Sequence, residues 1–320
     1  MKKREWTSET ATAVRKATKL HDPVEGAILL GERFVEENGL PLAAGKLKLN
    51  LFASALDARI ERVPMKEAGR LAYKPDGKSQ FLIQVNQADS EQRQAFSACH
   101  EMGHLLMPNY DMFRGCRTDW DTMRWNPKTE EEHLCNVVAA QLLMPRRLLR
   151  VRLRGEGMGI AVVEPLCEEF GTSQEATIFN IVRAGVEDVA VIYWEWGYRK
   201  EQEARAQMLS MFADSDDPML APPEKLPRVQ RFYSGGTMTD YYFPDNISVD
   251  STSLMARATA LFNECGDSAG SHICGPQIIR CKREKIEVKP EFYTESRAYL
   301  PKVAQQPRVI SFVFPREPQH

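Results

Sequence analysis

The chain has 320 residues, 43% of them hydrophobic and 27% charged, with a formal net charge of −2. That length and balance fit a folded protein with room for two domains, and the near-neutral charge excludes a global attraction to nucleic acid, leaving only local patches. No apolar run reaches the roughly 18 residues of a membrane span, and the N-terminal MKKREWTSETATAVRK has no hydrophobic signal core. Seven cysteines without a regular framework fit reduced thiols. A cytoplasmic protein with no membrane partner is therefore expected.

Residues 1–21 are polar, with an apolar spacing too weak to predict a helix. Asp22-Pro23 marks a helix start and Asn38-Gly39 its stop, so a helix is predicted through Glu37. A short helix is expected around Lys46–Leu56, then a strand at Ala58–Val63. Arg70–Tyr73 and Gln80–Asn86 read as two strands joined by a Pro75-Asp76-Gly77 turn. Such a small sheet has an edge to which an extended peptide can add.

The next stretch, Gln94–Pro108, reads QAFSACHEMGHLLMP and holds the motif His100-Glu101-Met102-Gly103-His104. Ala95, Phe96, Cys99, Met102, Leu105 and Leu106 give a helix an apolar face. On that helix the two histidines stand one turn apart, able to hold one zinc ion, with Glu101 beside the attacking water as general base. A catalytic site needs a third protein ligand. A metzincin would have glycine at 107 and histidine at 110, where this chain has Met107 and Tyr110, so a carboxylate on a later helix is expected instead.

Thr129–Pro145 offers three in a row, Glu130, Glu131 and Glu132, ahead of the apolar face Leu134, Val137, Val138 and Leu142. The residues alone leave all three open, and Glu132 also completes a Thr129-x-x-Glu132 capping box. His133 points about a third of a turn away from Glu132. In the intervening Asn109–Trp125 loop, Tyr110 is a candidate to stabilise an oxyanion, as are Arg114 and Arg117. Cys116, in the same loop, is either a core thiol or an inhibitory fourth metal ligand displacing the water.

After Pro145, the arginines Arg146, Arg147, Arg150, Arg152 and Arg154 fall within nine positions. They form either a contact for phosphates or a solvated helix face paired with the chain's own carboxylates. Val163–Ala184 reads as helix, Gly171-Thr172-Ser173 turn, helix, but its second helix is rich in Gln, Glu and Thr and poor in the basic residues of a groove reader, so packing between domains is the other reading. From Glu187 the texture turns to strands: Val189–Trp196, Arg228–Tyr233, Tyr241–Phe243, Ile278–Cys281, Lys285–Val288 and Val309–Phe314. A helix is expected at Ser253–Cys265 and a linker at Asp214–Pro227. This is the pattern of a small α/β sensor domain. Cys265, His272, Cys274 and Cys281 lack the paired spacing of a structural zinc site.

The H-E-x-x-H helix, its lead-in Gln84-Val85-Asn86 and Arg93-Gln94-x-Phe96-Ser97, and the sequel Glu132-x-x-Cys135-Asn136-x-x-Ala139-Ala140-x-Leu142-Leu143-Met144-Pro145 together resemble the ImmA/IrrE-type metallopeptidase family over residues 68–145. Val138 departs from it, standing where that family usually has phenylalanine, and the loop between the two halves is long. The resemblance implies Zn2+ held by His100, His104 and Glu132, with Glu101 as the catalytic base. It implies an α+β chain: a zincin-like metallopeptidase core at 1–155, a helix-turn-helix-like connector at 156–186 and a GAF-like regulatory domain at 187–320. The implied substrate is a helix-turn-helix transcriptional repressor, cut once to release genes of a DNA-damage response, of mobile-element induction or of anti-phage defence. The expected activator is a DNA-derived signal such as single-stranded DNA meeting the arginine run. The rival reading is a DNA-binding or repressor-sequestering regulator with a structural zinc. Glu101 speaks against it, because a closed structural site has no use for a base.

Overall fold

A computed structural model describes residues 6–40, 49–75, 77, 79–110, 127–198, 202–209, 223–244, 247–266, 272–300 and 306–316. The fold is mixed α+β. In chain order the elements are α1 (Glu9–Thr18), α2 (Pro23–Glu37), α3 (Leu49–Ala55), β1 (Ala58–Val63), β2 (Gly69–Tyr73), β3 (Phe81–Asn86), α4 (Glu91–Leu106), α5 (Pro127–Leu143), α6 (Arg146–Glu156), α7 (Val163–Phe170) and α8 (Gln174–Ala184). They continue with β4 (Val189–Gly197), α9 (Glu203–Leu209), β5 (Leu226–Gly235), β6 (Tyr241–Tyr242), α10 (Leu254–Cys265), β7 (Ile273–Ile278), β8 (Cys281–Arg283), β9 (Ile286–Val288), β10 (Glu291–Tyr299) and β11 (Arg308–Phe314). The chain forms two compact units that interleave in sequence. One comprises Met1–Leu149 with Glu164–Asn180, the other Arg150–Val163 with Ile181–His320.

The first unit is built on a three-stranded sheet in the order β1-β3-β2. β1 runs parallel to β3, with Ile60 opposite Ile83, and β2 runs antiparallel, with Leu71 opposite Ile83. Ile83 and Val85 turn into a core shared with Met102 of α4, Leu134, Val138 and Leu142 of α5, and Phe34 and Phe52. Both helices that approach the sheet therefore carry an apolar stripe on the same side as their polar motif residues, and burying the stripe fixes where the polar residues point.

Helix α1 forms within the first 21 residues, whose apolar spacing is too weak to predict it. Ser8 caps it by accepting the Ala11 N–H, and Thr10, Ala11, Val14 and Thr18 are buried along one face. These small and β-branched residues give little helical signal on their own. The helix exists because α2 and α5 cover it.

The second unit has a five-stranded antiparallel sheet in the order β5-β4-β11-β10-β7. On one side Ala190, Ile192, Trp194, Val309, Val313 and Phe292 form a core with Leu254, Met255 and Ala258 of α10. Within it the Trp194 indole donates to Ser311 Oγ at 2.9 Å, and Ser311 Oγ lies 2.7 Å from Ser296 Oγ. A separate sheet has the order β6-β8-β9.

Two expectations are corrected in this unit. Ile278–Cys281 is not one strand: β7 ends at Ile278 and β8 starts at Cys281 in the other sheet. β10, absent from the sequence reading, lies between β11 and β7 and carries Glu295 and Arg297 at buried positions. The Glu295 carboxylate is tolerated there because it accepts the Ile160 N–H at 2.9 Å.

Candidate metal centre

Helix α4 starts at Ser90, whose hydroxyl accepts the Arg93 N–H, and from Ser97 to His104 every residue is buried. His100 and His104 stand on one face with ring centroids 4.9 Å apart, and their Nε2 atoms are separated by 3.2 Å. From α5, Glu132 Oε2 comes within 3.0 Å of His100 Nε2 and 3.9 Å of His104 Nε2. Four ligands at about 2.0–2.1 Å from a zinc ion stand roughly 3.3 Å from one another. The three separations bracket that value, so this donor set fits zinc. It is the group among the described residues able to hold a metal ion.

The far sides of the imidazoles are also occupied. His100 Nδ1 lies 2.9 Å from Asn136 Oδ1, so its N–H donates there and the Nε2 lone pair faces the cluster. His104 Nδ1 lies 3.3 Å from Cys135 Sγ and 3.4 Å from Glu131 Oε1. Of the groups around the histidines, Asn136 was the most accessible to sequence reasoning. It sits four residues after Glu132, on the same helix face.

Each glutamate of the triple has its own use. Glu130 accepts the Thr7 and Ser8 amides, at 3.0 and 2.7 Å, and the Thr7 hydroxyl. Burial would raise its pKa, but these hydrogen bonds outweigh burial and hold the carboxyl below its ordinary value. Glu131 accepts the Thr10 hydroxyl. Thr129 lies inside α5 and not at its cap, and Glu132 is left for the histidines.

Glu101 is 2% exposed and points to β2, where the Leu71 N–H donates to its carboxylate. Its Oε2 has no hydrogen-bond partner among the described residues. Burial raises its pKa, opposed by the two histidines, reinforced by the Glu132 charge and opposed again by the Leu71 amide. A Cβ on Gly69 would stand 3.0 Å from Glu101 Oε1, so the edge strand runs directly past the acid. β2 pairs only with β3 among the described strands.

The remaining candidates are Tyr110, the residues of the loop that follows it and the arginine run. The Tyr110 ring packs edge-on against Phe81, 5.9 Å between centroids. Cys116, with Arg114 and Arg117, lies outside the described residues. Arg146 pairs with Glu25 and Arg147 with Glu36, Arg150 donates to the Ala184 carbonyl, and Arg152 pairs with Glu156. Arg154 is exposed. Four of the five arginines thus have partners within the chain.

A helix presenting two histidines, an acid between them and a carboxylate from the following helix define a metallopeptidase-type domain. Residues 54–181 match the IrrE N-terminal-like domain, a peptidase family. That stretch is similar to the ImmA/IrrE-type family, and the match supports a metallopeptidase-type domain there. No curated protein matches the chain in sequence. Among solved structures, a Mycobacterium tuberculosis transcriptional regulator is similar over 96% of this chain and 79% of that one, at 10% identity and a TM-score of 0.44. Among the described residues, no helix is long and apolar enough to cross a membrane.

Proposed function

We propose that this chain is a zinc-dependent endopeptidase that cuts a helix-turn-helix transcriptional repressor. The observation that carries the reading is Glu101, buried between two candidate ligands, with one carboxylate oxygen unpartnered among the described residues and the edge strand β2 alongside. His100, His104 and Glu132 would hold the zinc. When bound, zinc supplies Lewis acidity, polarising a scissile carbonyl and making water a stronger acid.

The chain's own residues do the rest. The outer edge of β2 pairs with an extended substrate main chain, so the peptide is positioned through backbone hydrogen bonds with little demand on its side chains. Glu101 accepts the proton of the attacking water at its carboxylate and returns it to the leaving amine nitrogen. Asn136 keeps His100 in one tautomer. Tyr110 is the proposed donor to the oxyanion, with Tyr110→Phe as its test.

Regulation belongs to the same proposal. The five-stranded antiparallel sheet with α10 on one face supports reading residues 187–320 as a GAF-like sensor. Release of an inhibitory Cys116 thiolate and an activating single-stranded DNA are its proposed levers.

The test incubates the protein and its Glu101→Gln variant with a small helix-turn-helix repressor encoded beside it, with and without single-stranded DNA, and reads intact mass. The expected result is one cut made by the wild type, and none by Glu101→Gln although it still binds zinc. Uncut repressor under every condition, with zinc bound stoichiometrically, would overturn the proposal.

A further inference from the structure

We infer that the N-terminal helix α1 is a positioning element of the metal centre and acts on His104 through Thr10 and Glu131. The inference rests on the reading of His100, His104 and Glu132 as metal ligands. Its starting point, Thr10 on α1, lies outside the family-matched stretch 54–181, while Glu131 and His104 lie within it.

Four consecutive residues of α5 meet the N-terminal segment or the histidines. Glu130 holds the amides of Thr7 and Ser8. Glu131 Oε2 accepts the Thr10 hydroxyl at 3.0 Å, while Glu131 Oε1 lies 3.4 Å from His104 Nδ1. Glu132 faces the Nε2 atoms, and the His133 ring lies 5.8 Å from that of Trp6. A continuous path therefore runs from α1 to a candidate ligand: Thr10, Glu131, His104.

The direction of the Thr10 hydroxyl is set. Its oxygen accepts from Asn109 Nδ2 at 3.1 Å, which leaves its proton for Glu131. Thr10 is 2% exposed, so water does not readily substitute for it. The Glu131 side chain is 31% exposed, and a glutamate that open samples several rotamers unless something holds it. With one oxygen held by Thr10, the other stays beside His104 Nδ1. The Cys135 thiol also faces that nitrogen, but sulfur is a weak acceptor, so the carboxylate is the stronger partner for the Nδ1 proton. An imidazole anchored this way keeps one tautomer and one ring orientation, with its Nε2 lone pair presented to the metal.

Thr10→Val keeps the shape and removes the hydroxyl, Thr10→Ser keeps the hydroxyl, and Glu131→Gln weakens the acceptor. Zn2+ affinity is measured by competition with a chromophoric chelator, ligand geometry by the visible spectrum of the Co2+-loaded protein, and folding by circular dichroism. Thr10→Val and Glu131→Gln are each expected to weaken Zn2+ binding on the order of tenfold and to alter the Co2+ spectrum. Thr10→Ser should bind like the wild type, and the double variant should lose no more than the worse single one, since both act on one path.

Wild-type affinity and an unchanged Co2+ spectrum in Thr10→Val would overturn the inference, even with a lowered melting temperature, because Thr10 would then serve packing alone. Should Thr10→Val not fold, Glu131→Gln and Thr10→Ser decide by the same two readouts. A wild-type protein that binds neither ion would overturn the metal reading itself, and this inference with it.

Discussion

The backbone of Gly103 in α4 lies so close to Cys135 in α5 that a Cβ at residue 103 would stand 2.9 Å from the Cys135 carbonyl oxygen and 3.1 Å from its Cα. The neighbours are backbone atoms and cannot swing aside. Gly103→Ala is therefore expected to push the two helices apart. The overpacking costs about 1–3 kcal/mol and moves Glu132 away from the histidines. Thermal denaturation and Zn2+ titration check the two effects. An alanine variant with unchanged stability and affinity would show that the helices do not need this close approach.

Asn136 is expected to matter for metal affinity without touching the metal. Asn136→Ala removes the acceptor for His100 Nδ1 and frees the ring to rotate or change tautomer, weakening Zn2+ binding by roughly 10–100-fold. Asn136→Asp retains an acceptor oxygen and should lose far less. Equal losses in the two variants would count against the orienting role.

In the second unit, Ser311 satisfies two buried groups, the Trp194 indole N–H and the Ser296 hydroxyl. Ser311→Ala leaves both in an apolar interior, and a destabilisation of about 1–3 kcal/mol is expected. Urea unfolding followed by tryptophan fluorescence measures it directly.

Cys281 is completely buried, and burial pushes its thiol from 9.0 up to about 11. Folding favours the neutral thiol, so its contribution to stability is whole below pH 9 and is lost as pH rises through 11. The wild type should therefore lose stability between pH 9 and 11 more steeply than Cys281→Ala, as urea midpoints would show. Alkylation at pH 8 under native conditions should label the exposed Cys265 and Cys274 but not Cys281; prompt labelling of Cys281 would contradict the burial.

Much of this arrangement is local and can be read from the chain. A helix brings residues i and i+4 together, so the proximity of His100 and His104 needs only the helical period. The strands β1, β2 and β3 follow from alternation and turn chemistry. Partnerships that span the chain are not legible in this way. Glu130 and Glu131 reach Thr7, Ser8 and Thr10 across more than 120 residues, and no short-range pattern announces which of three adjacent acids is already committed. Helix α1 is not legible in the sequence because its stability comes from burial against its neighbours. Nor is strand β10, because Glu295 and Arg297 stand at positions where alternation predicts apolar side chains, and the partner of Glu295 is the backbone of Ile160, 135 residues away.

The interleaving of the two units constrains how such a protein can be rearranged. Residues 164–180 return to the first unit after 150–163 have joined the second. Any one junction along the chain therefore leaves at least one unit without a segment. A crossover in a gene could not graft the C-terminal unit onto another protein intact, and a single protease nick could not release it whole. Inheritance of the pair as a block follows from the path of the backbone, and transplanting either half would need three breakpoints chosen together.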